Sequence, residues 1–260
     1  MPSTVADRFG RWLARDVPAS PLVWFRVAFG AIWLVYDVLD LIGSGTAHIS
    51  DWLSSTPPPG LLVLQLGLIA CELSLVTGKP RRGVPAAALF AALLRGIEWR
   101  TYLELNDFAY YVVTALILGH VRAEGGLLEL PTKASQTPRW PRDVLVFAAA
   151  WIYFATALLK ANATWLSGRH LFVRLEYLRA ALGWPYPDVV NRCAESLGCD
   201  GALALAAVVS ELTLACLLVL RPRRRLVAPI AIVIHGVGAL LTNVWFFGPS
   251  LVAQVVLLTD

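Results

Sequence analysis

Lys160 is the residue whose position in this sequence most needs a chemical explanation. It ends an apolar run that begins at Trp151, and a polar and aromatic stretch up to Gly168 follows it. One interpretation is snorkelling, in which the aliphatic stem stays in an apolar layer while the ammonium reaches interfacial water. The other is a general base, because desolvation favours the neutral amine that can accept a proton. The segment alone leaves both interpretations open.

Other polar and ionisable groups also interrupt apolar segments. A charge at the centre of a span costs about 2.5–3.5 kcal/mol, so such groups are expected to face one another or a water-filled cavity. We expect Lys160 to line a cavity with His235 as its floor, and Glu211 to lie deeper, toward the cytoplasm. Asp107 would begin a span near the cavity, where it could instead serve as a helix N-cap. The full set is Arg26, Asp37, Asp40, Glu72, Arg95, Glu98, Arg100, Asp107, Glu211, His235 and Asn243.

Other chemistries have no support in the sequence. The four histidines do not form a metal-ligand spacing such as His-x3-His, so we predict no metal site. The chain also contains no P-loop, no dinucleotide fingerprint and no Gly-x-Ser-x-Gly motif. No basic region alternates with a stacking platform, and we therefore expect no nucleic-acid partner.

The elements that position these residues are predicted to be membrane-spanning helices. The chain is 57% hydrophobic and 15% charged, with a mean hydropathy of +0.63, whereas a soluble domain carries about 25% charged residues. This composition predicts an all-α, polytopic integral membrane protein whose main partner is the lipid bilayer. About eight apolar segments approach the 17–25 residues that a helical span needs. They begin near Leu22, Leu61, Val84, Asp107, Val144, Ala202, Leu226 and Phe247.

Basic residues set the predicted topology. With about eight crossings, every basic cluster falls on one side of the membrane, which identifies that side as cytoplasmic. Both termini are then cytoplasmic, and Lys160 lies at the outer end of the fifth span, in a cavity that faces outside. We predict a multi-pass protein of the cell membrane, specifically a bacterial inner membrane. The clusters are Arg8/Arg11/Arg15, Lys79 to Arg82, Arg122 to Arg142 and Arg221 to Arg225.

Three further features complete the predicted organisation. Residues 1–20 form a cytoplasmic amphipathic N-terminal helix, and residues 21–260 form the transmembrane domain. Apolar residues at helical spacing between Leu166 and Leu182 predict an interfacial or re-entrant helix after the fifth span. The segment Cys71 to Leu75 is similar to Ser210 to Leu214, and each precedes a basic turn with a proline, which is compatible with two four-span repeats.

Four groups of residues together resemble a known family. Phe25-Arg26 with Gly30 is similar to its Phe-Arg-x3-Gly opening, and Asn106-Asp107 stands where the family has an Asn-rich turn. The family signature Tyr-Phe…Lys-x4-Trp-x2-Gly is matched by Tyr153-Phe154, Lys160, Trp165 and Gly168. Its late His…Phe pair resembles His235 with Phe246. The family is the horizontally transferred transmembrane (HTTM) domain, the membrane core of vitamin K-dependent gamma-carboxylases.

The resemblance implies an enzyme of the carbon–carbon lyase and quinol-epoxidising type. Lys160 would be the base that deprotonates reduced vitamin K or a menaquinone-type quinol, with His235 and Asp107 as further catalytic residues. Tyr153, Trp165, Asn106 and Phe246 would bind the lipid quinone. Carbon dioxide and oxygen would be co-substrates, and the partner would be a peptide or small substrate. On this interpretation Lys160→Ala abolishes turnover and leaves folding nearly intact, or even stabilises the bundle.

Two departures from the family pattern define an alternative. Asp107 stands where the animal carboxylases carry a histidine, and the 260 residues contain no counterpart of the extramembrane region that holds the substrate propeptide in those enzymes. The alternative function is therefore a non-catalytic protein of this fold that binds peptides or assists their maturation.

Overall fold

The fold of the chain is known from a computed structural model, and nearly all of the residues it describes are helical. These residues are 4–41, 59–78, 105–120, 136–169, 199–220, 224–242 and 247–258. Their elements are, in chain order, α1 (Val5–Leu13), β1 (Asp16–Pro18), α2 (Ser20–Leu41), α3 (Pro59–Thr77), α4 (Leu105–His120), β2 (Gln136–Pro138), α5 (Trp140–Lys160), α6 (Ala163–Leu166), α7 (Cys199–Leu220), α8 (Arg224–Thr242) and α9 (Phe247–Leu258).

Three of these helices are long and apolar enough to cross a membrane. They comprise Ser20–Val38, Trp140–Lys160 and Gly201–Leu220. Four shorter apolar helical segments lie within α3, α4, α8 and α9. Each predicted span that begins within the described residues is helical, and the span predicted near Val84 lies outside them. The chain is a helical membrane protein.

Two short strands depart from the all-α prediction. β1 pairs with β2 in antiparallel register, with Val17 opposite Thr137. The amide of Arg139 extends the pairing by donating to the carbonyl of Arg15 at 2.9 Å, and the Arg139 guanidinium lies 4.9 Å from the centre of the Trp12 ring. Each strand ends in a proline that is followed by a helix with a second proline in its first turn, where the missing N–H costs nothing. Hydrophobic periodicity cannot reveal strands of three residues, because they are shorter than any period it measures.

The N-terminal helix is shorter than the predicted amphipathic segment of residues 1–20. It begins with a capping box, in which the Thr4 hydroxyl accepts from the Asp7 amide at 3.1 Å and the Asp7 carboxylate accepts from the Thr4 amide at 2.9 Å. These hydrogen bonds hold the pKa of Asp7 below its ordinary value. The helix ends at Leu13, and β1 occupies the remainder of that segment.

The chain divides into two compact units, residues 1–145 and 146–260. In the first unit, α2 packs closely on α3 at Gly30, where a Cβ atom would lie 2.9 Å from the Cβ of Leu75. Beside this crossing Glu72 is fully buried and accepts a hydrogen bond of 3.2 Å from the Tyr111 hydroxyl. Arg26 and Asp37 are buried as well, which is the inward orientation that the sequence predicted for them.

The second unit contains the elements that position the candidate site. Helix α7 packs against both α6 and α8, and α8 packs against α9. Two glycines of this unit allow close approaches between its elements. A Cβ atom at Gly201 would lie 2.9 Å from the carbonyl oxygen of Leu166, and one at Gly248 would lie 3.1 Å from Nδ1 of His235.

Candidate functional site

Helix α5 has two chemically different faces, and its buried face carries the candidate site. Large apolar side chains on the other face are exposed at helical spacing, which is the arrangement expected of a surface that faces lipid. The buried face has small residues that let neighbouring helices approach, together with two polar side chains. The exposed residues are Phe147, Trp151, Phe154 and Leu158, and the buried face carries Ala149, Tyr153, Ala157 and Lys160.

Lys160 forms an ion pair with Glu211 of α7. Its Nζ lies 2.5 Å from Oε1 of the carboxylate, and the two side chains are only 27% and 13% exposed. The second carboxylate oxygen, Oε2, is buried and has no hydrogen-bond partner within the part of the chain that the structure describes. The ammonium is thus bound by a carboxylate inside the unit, which is more than snorkelling to interfacial water requires.

The turn after α5 holds an aromatic ring against the ammonium. Asn162 caps α6 by accepting from the amide of Trp165 at 3.0 Å, and its own side-chain amide donates to the carbonyl of Leu159 at 2.7 Å. The indole of Trp165 is thereby positioned with Lys160 Nζ 5.4 Å from its ring centre, a cation–π contact. Gly168 follows with φ of 79°, a backbone conformation that favours glycine.

Tyr153, which lies on the same face of α5 as Lys160, forms a second polar pair with His235 of α8. Tyr153 lies seven residues, or about two helical turns, before Lys160. Its hydroxyl oxygen is 2.6 Å from Nε2 of His235 on α8, and the tautomer of the imidazole decides which atom donates. The Tyr153 side chain is buried, and Gly248 closes the opposite side of the imidazole.

The two pairs lie within electrostatic range of each other. The charge on Glu211 acts on Tyr153, and the charge on Lys160 acts on His235. The site therefore contains four groups that can bind or release a proton, contributed by α5, α7 and α8. Such a cluster in a poorly hydrated setting is typical of proton relays in membrane proteins.

The structure brings together four of the residues that the sequence singled out for this site. Lys160, Tyr153, Trp165 and His235 all lie in the second unit and take part in the contacts above. The other three, Asn106, Asp107 and Phe246, cannot be placed in it. Phe246 is outside the described residues, as are the side chains of Asn106 and Asp107. Helix α4 begins at Leu105, so Asp107 lies in its first turn instead of at its N-cap.

Glu211 is the site residue that sequence reasoning did not assign to the site. The sequence predicts that it lies deeper in the membrane than Lys160, and the structure joins the two side chains in an ion pair. Helix α7 packs beside α6 at Gly201, roughly 15 Å before Glu211. The available signal was that a carboxylate in an apolar span needs a cation within reach.

The described helices and this ion pair define a helical membrane protein with a polar site among its helices. No family model, no curated protein and no solved structure matches the chain. Its function is therefore inferred from the geometry of the site and from the motif resemblance.

Proposed function

We propose that this protein is an HTTM-like membrane enzyme that takes a proton from a reduced quinone and couples oxidation of the quinone to modification of a peptide or small substrate. The observation that supports this most is the Lys160–Glu211 pair, two partly buried groups able to exchange a proton, which joins the inward face of α5 to α7. A reduced vitamin K or menaquinone-type quinol is an apolar lipid with phenol-like hydroxyls. It could approach from the bilayer and present a proton at such a site.

The residues present fit a hydroquinone. The Lys160 side chain is the more exposed member of its pair, so it is the group that a hydroxyl would meet first. Trp165 and Tyr153 supply aromatic surface on either side of the lysine along the chain, and His235 holds the Tyr153 hydroxyl in place. A quinol bound here would supply, with oxygen, a base strong enough to remove a proton from a peptide glutamate, so that carbon dioxide could be added. Asn106, Asp107 and Phe246 keep the roles in the reaction that the resemblance implies for them.

The alternative is a non-catalytic protein of the same fold that binds a peptide or assists its maturation. The same ion pair gives this alternative its support, because a lysine with a well-placed carboxylate partner needs no further role to be stable. The two functions differ in one property. The enzyme requires that residue 160 release and accept protons, whereas the structural pair requires only a permanent positive charge.

Lys160→Arg separates these two functions. Arginine keeps the charge and can bind Glu211 through two parallel hydrogen bonds, but a guanidinium does not give up its proton. We expect Lys160→Arg to keep the thermal stability of the wild type in detergent. We expect its rate of menaquinol oxidation in membranes to fall by about 10²–10⁴-fold, the usual contribution of general acid–base catalysis.

The matched control is Leu159→Ala, which changes the neighbouring side chain on the exposed face of α5. It should keep both activity and stability, since Leu159 contacts neither pair. Wild-type turnover by Lys160→Arg would remove the catalytic proposal and leave Lys160 with a structural role.

We also propose the finer topology: about eight spans, two four-span repeats, cytoplasmic termini, a cavity open to the outside and location in a bacterial inner membrane. The positive-inside pattern supports the orientation. A short strand that ends in proline precedes α2, and another precedes α5. Each of these helices has a second proline in its first turn, and this recurrence supports the repeats.

A further inference from the structure

Lys160 cannot accept a proton while it is paired as an ammonium ion. A lysine ammonium has three donors and no acceptor, so it must lose a proton before it can take one from a hydroxyl. Within the described part of the chain, Glu211 Oε1 is the acceptor that Lys160 bonds, at 2.5 Å. Glu211 is therefore the described residue best placed to take that proton.

Access to the two residues is unequal. The Lys160 side chain is 27% exposed and that of Glu211 is 13% exposed, while Oε2 of the carboxylate is fully enclosed. A substrate hydroxyl can therefore reach the amine more readily than the carboxylate behind it. This order places Lys160 at the substrate and makes Glu211 a group that acts through the lysine.

The carboxylate of Glu211 is incompletely hydrogen-bonded in its partly buried surroundings. One of its oxygens bonds the ammonium, but Oε2 receives no hydrogen bond from the described residues, so the anion is stabilised on one side only. Burying a charge with incomplete hydrogen bonding is costly. A neutral amine beside a carboxylic acid avoids that cost, because the proton crosses a single short hydrogen bond and no net charge moves.

On these grounds, and resting on the function proposed above, we propose that Lys160 and Glu211 form one proton-accepting unit in which Glu211 holds the proton. An N–H bond of the ammonium breaks as the O–H bond of the carboxylic acid forms at Oε1. Nζ then takes the proton of the hydroquinone hydroxyl. The net change is one proton transferred from the hydroquinone to Glu211, with Lys160 again an ammonium beside the quinol anion, whose negative charge it stabilises. No electrons are exchanged in this step.

Among the described residues, the titratable groups that interact with this unit come from two helices, α5 and α8. Tyr153 on α5 interacts with Glu211, and His235 on α8 interacts with Lys160. Both keep their own hydrogen bond at 2.6 Å, so neither needs to leave its partner for the exchange between Lys160 and Glu211. Variants of Glu211 therefore test the unit while the Tyr153–His235 pair stays intact.

Infrared difference spectroscopy of the purified protein tests the proposal. Reduced menaquinone is added without oxygen, so that only binding and proton transfer occur. We expect a new carbonyl band of a carboxylic acid in the wild type. This band should be absent in Glu211→Gln and present at a shifted frequency in Glu211→Asp. The ultraviolet spectrum of the bound quinol reports in parallel whether it has become an anion.

The outcomes distinguish the proposal from the function on which it rests. If menaquinol does not bind at all, the proposed function fails and this inference fails with it. If menaquinol binds and becomes an anion without an acid band, the function stands and the role of Glu211 is refuted. If Glu211→Gln does not fold, the shifted acid band in Glu211→Asp identifies the carboxyl group that takes up the proton. An acid band at the wild-type frequency in Glu211→Asp would refute the assignment to Glu211.

The pH profile of quinol oxidation gives a second, independent measurement. Glutamine keeps an oxygen acceptor for Lys160 but cannot take up a proton. We therefore expect the rate to fall by about 10²-fold or more at every pH, with partial rescue by aspartate. A purely structural carboxylate predicts the opposite, because its removal frees the amine to lose its proton. Full activity in Glu211→Gln with the profile moved to lower pH would refute the proposal.

Discussion

Removal of Lys160 should destabilise the protein, because it leaves the carboxylate of Glu211 buried without its cation. Breaking a buried ion pair from one side costs about 3–5 kcal/mol. The Lys160 side chain is partly exposed, which lowers the expected cost to about 2–3 kcal/mol. Loss of the cation–π contact with Trp165 adds roughly 0.5–1 kcal/mol. At about 2–4 °C per kcal/mol for a chain of this size, Lys160→Ala should lower Tm by roughly 5–15 °C.

The assay is thermal unfolding in detergent, followed by the loss of helical circular dichroism. The double variant Lys160→Met/Glu211→Gln removes both charges and should recover most of the lost stability, because no charge is then left buried alone. Leu159→Ala, on the exposed face, should stay within about 0.5 kcal/mol of the wild type.

A Tm for Lys160→Ala within about 1 °C of the wild type would refute this reasoning. The same result would agree with the sequence-based expectation that the lysine is dispensable for folding, or even unfavourable to it. The difference between the two expectations comes from Glu211 alone. A buried lysine without a counter-charge destabilises the folded protein, whereas a lysine that neutralises a buried carboxylate stabilises it.

Three further predictions concern the surroundings of the site and the topology. Gly248→Ala places a Cβ atom 3.1 Å from Nδ1 of His235 and should shift the imidazole by a few tenths of an ångström, lowering quinol oxidation with little change in Tm. Asn162→Ala should cost about 1 kcal/mol and speed amide exchange in α6, measured by hydrogen exchange, since it removes the N-cap. Single cysteines at Ser55 and Ser135 in a cysteine-free background should react oppositely with an impermeant thiol reagent, and outside labelling of Ser135 would contradict the topology.

The helices and the buried charges could be predicted from the sequence for physical reasons that apply residue by residue. Apolar runs of span length predicted α2, α5 and α7. A long apolar helix is compatible with the lipid and also satisfies its own backbone hydrogen bonds. The cost of a charge in hydrocarbon likewise predicted that Arg26 and Glu72 face inward. These rules act within one element, so the local sequence is sufficient for them.

The pairing across helices could not be predicted in the same way. Which cation meets Glu211 depends on how α7 packs against its neighbours, and at Gly201 a Cβ atom would lie only 2.9 Å from the backbone oxygen of Leu166 in α6. The hydrogen bond between Tyr153 and His235 joins residues 82 positions apart, and the β1–β2 pairing joins two strands that are also far apart in sequence. Contacts of this kind follow from packing between elements, which no single segment of the sequence contains.

The spacing of Lys160, Trp165 and Gly168 has a physical reason that is independent of any catalysis. A helix that ends at Lys160 needs a short turn, a cap and a residue tolerant of positive φ to bring an indole back over the ammonium. Asn162 supplies the cap, Trp165 supplies the indole, and Gly168 is the residue with positive φ. The motif thus determines the geometry on one side of the ammonium, while α7 determines what binds it on the other. The chemistry of the site accordingly depends on Glu211, a residue that no short motif around Lys160 includes.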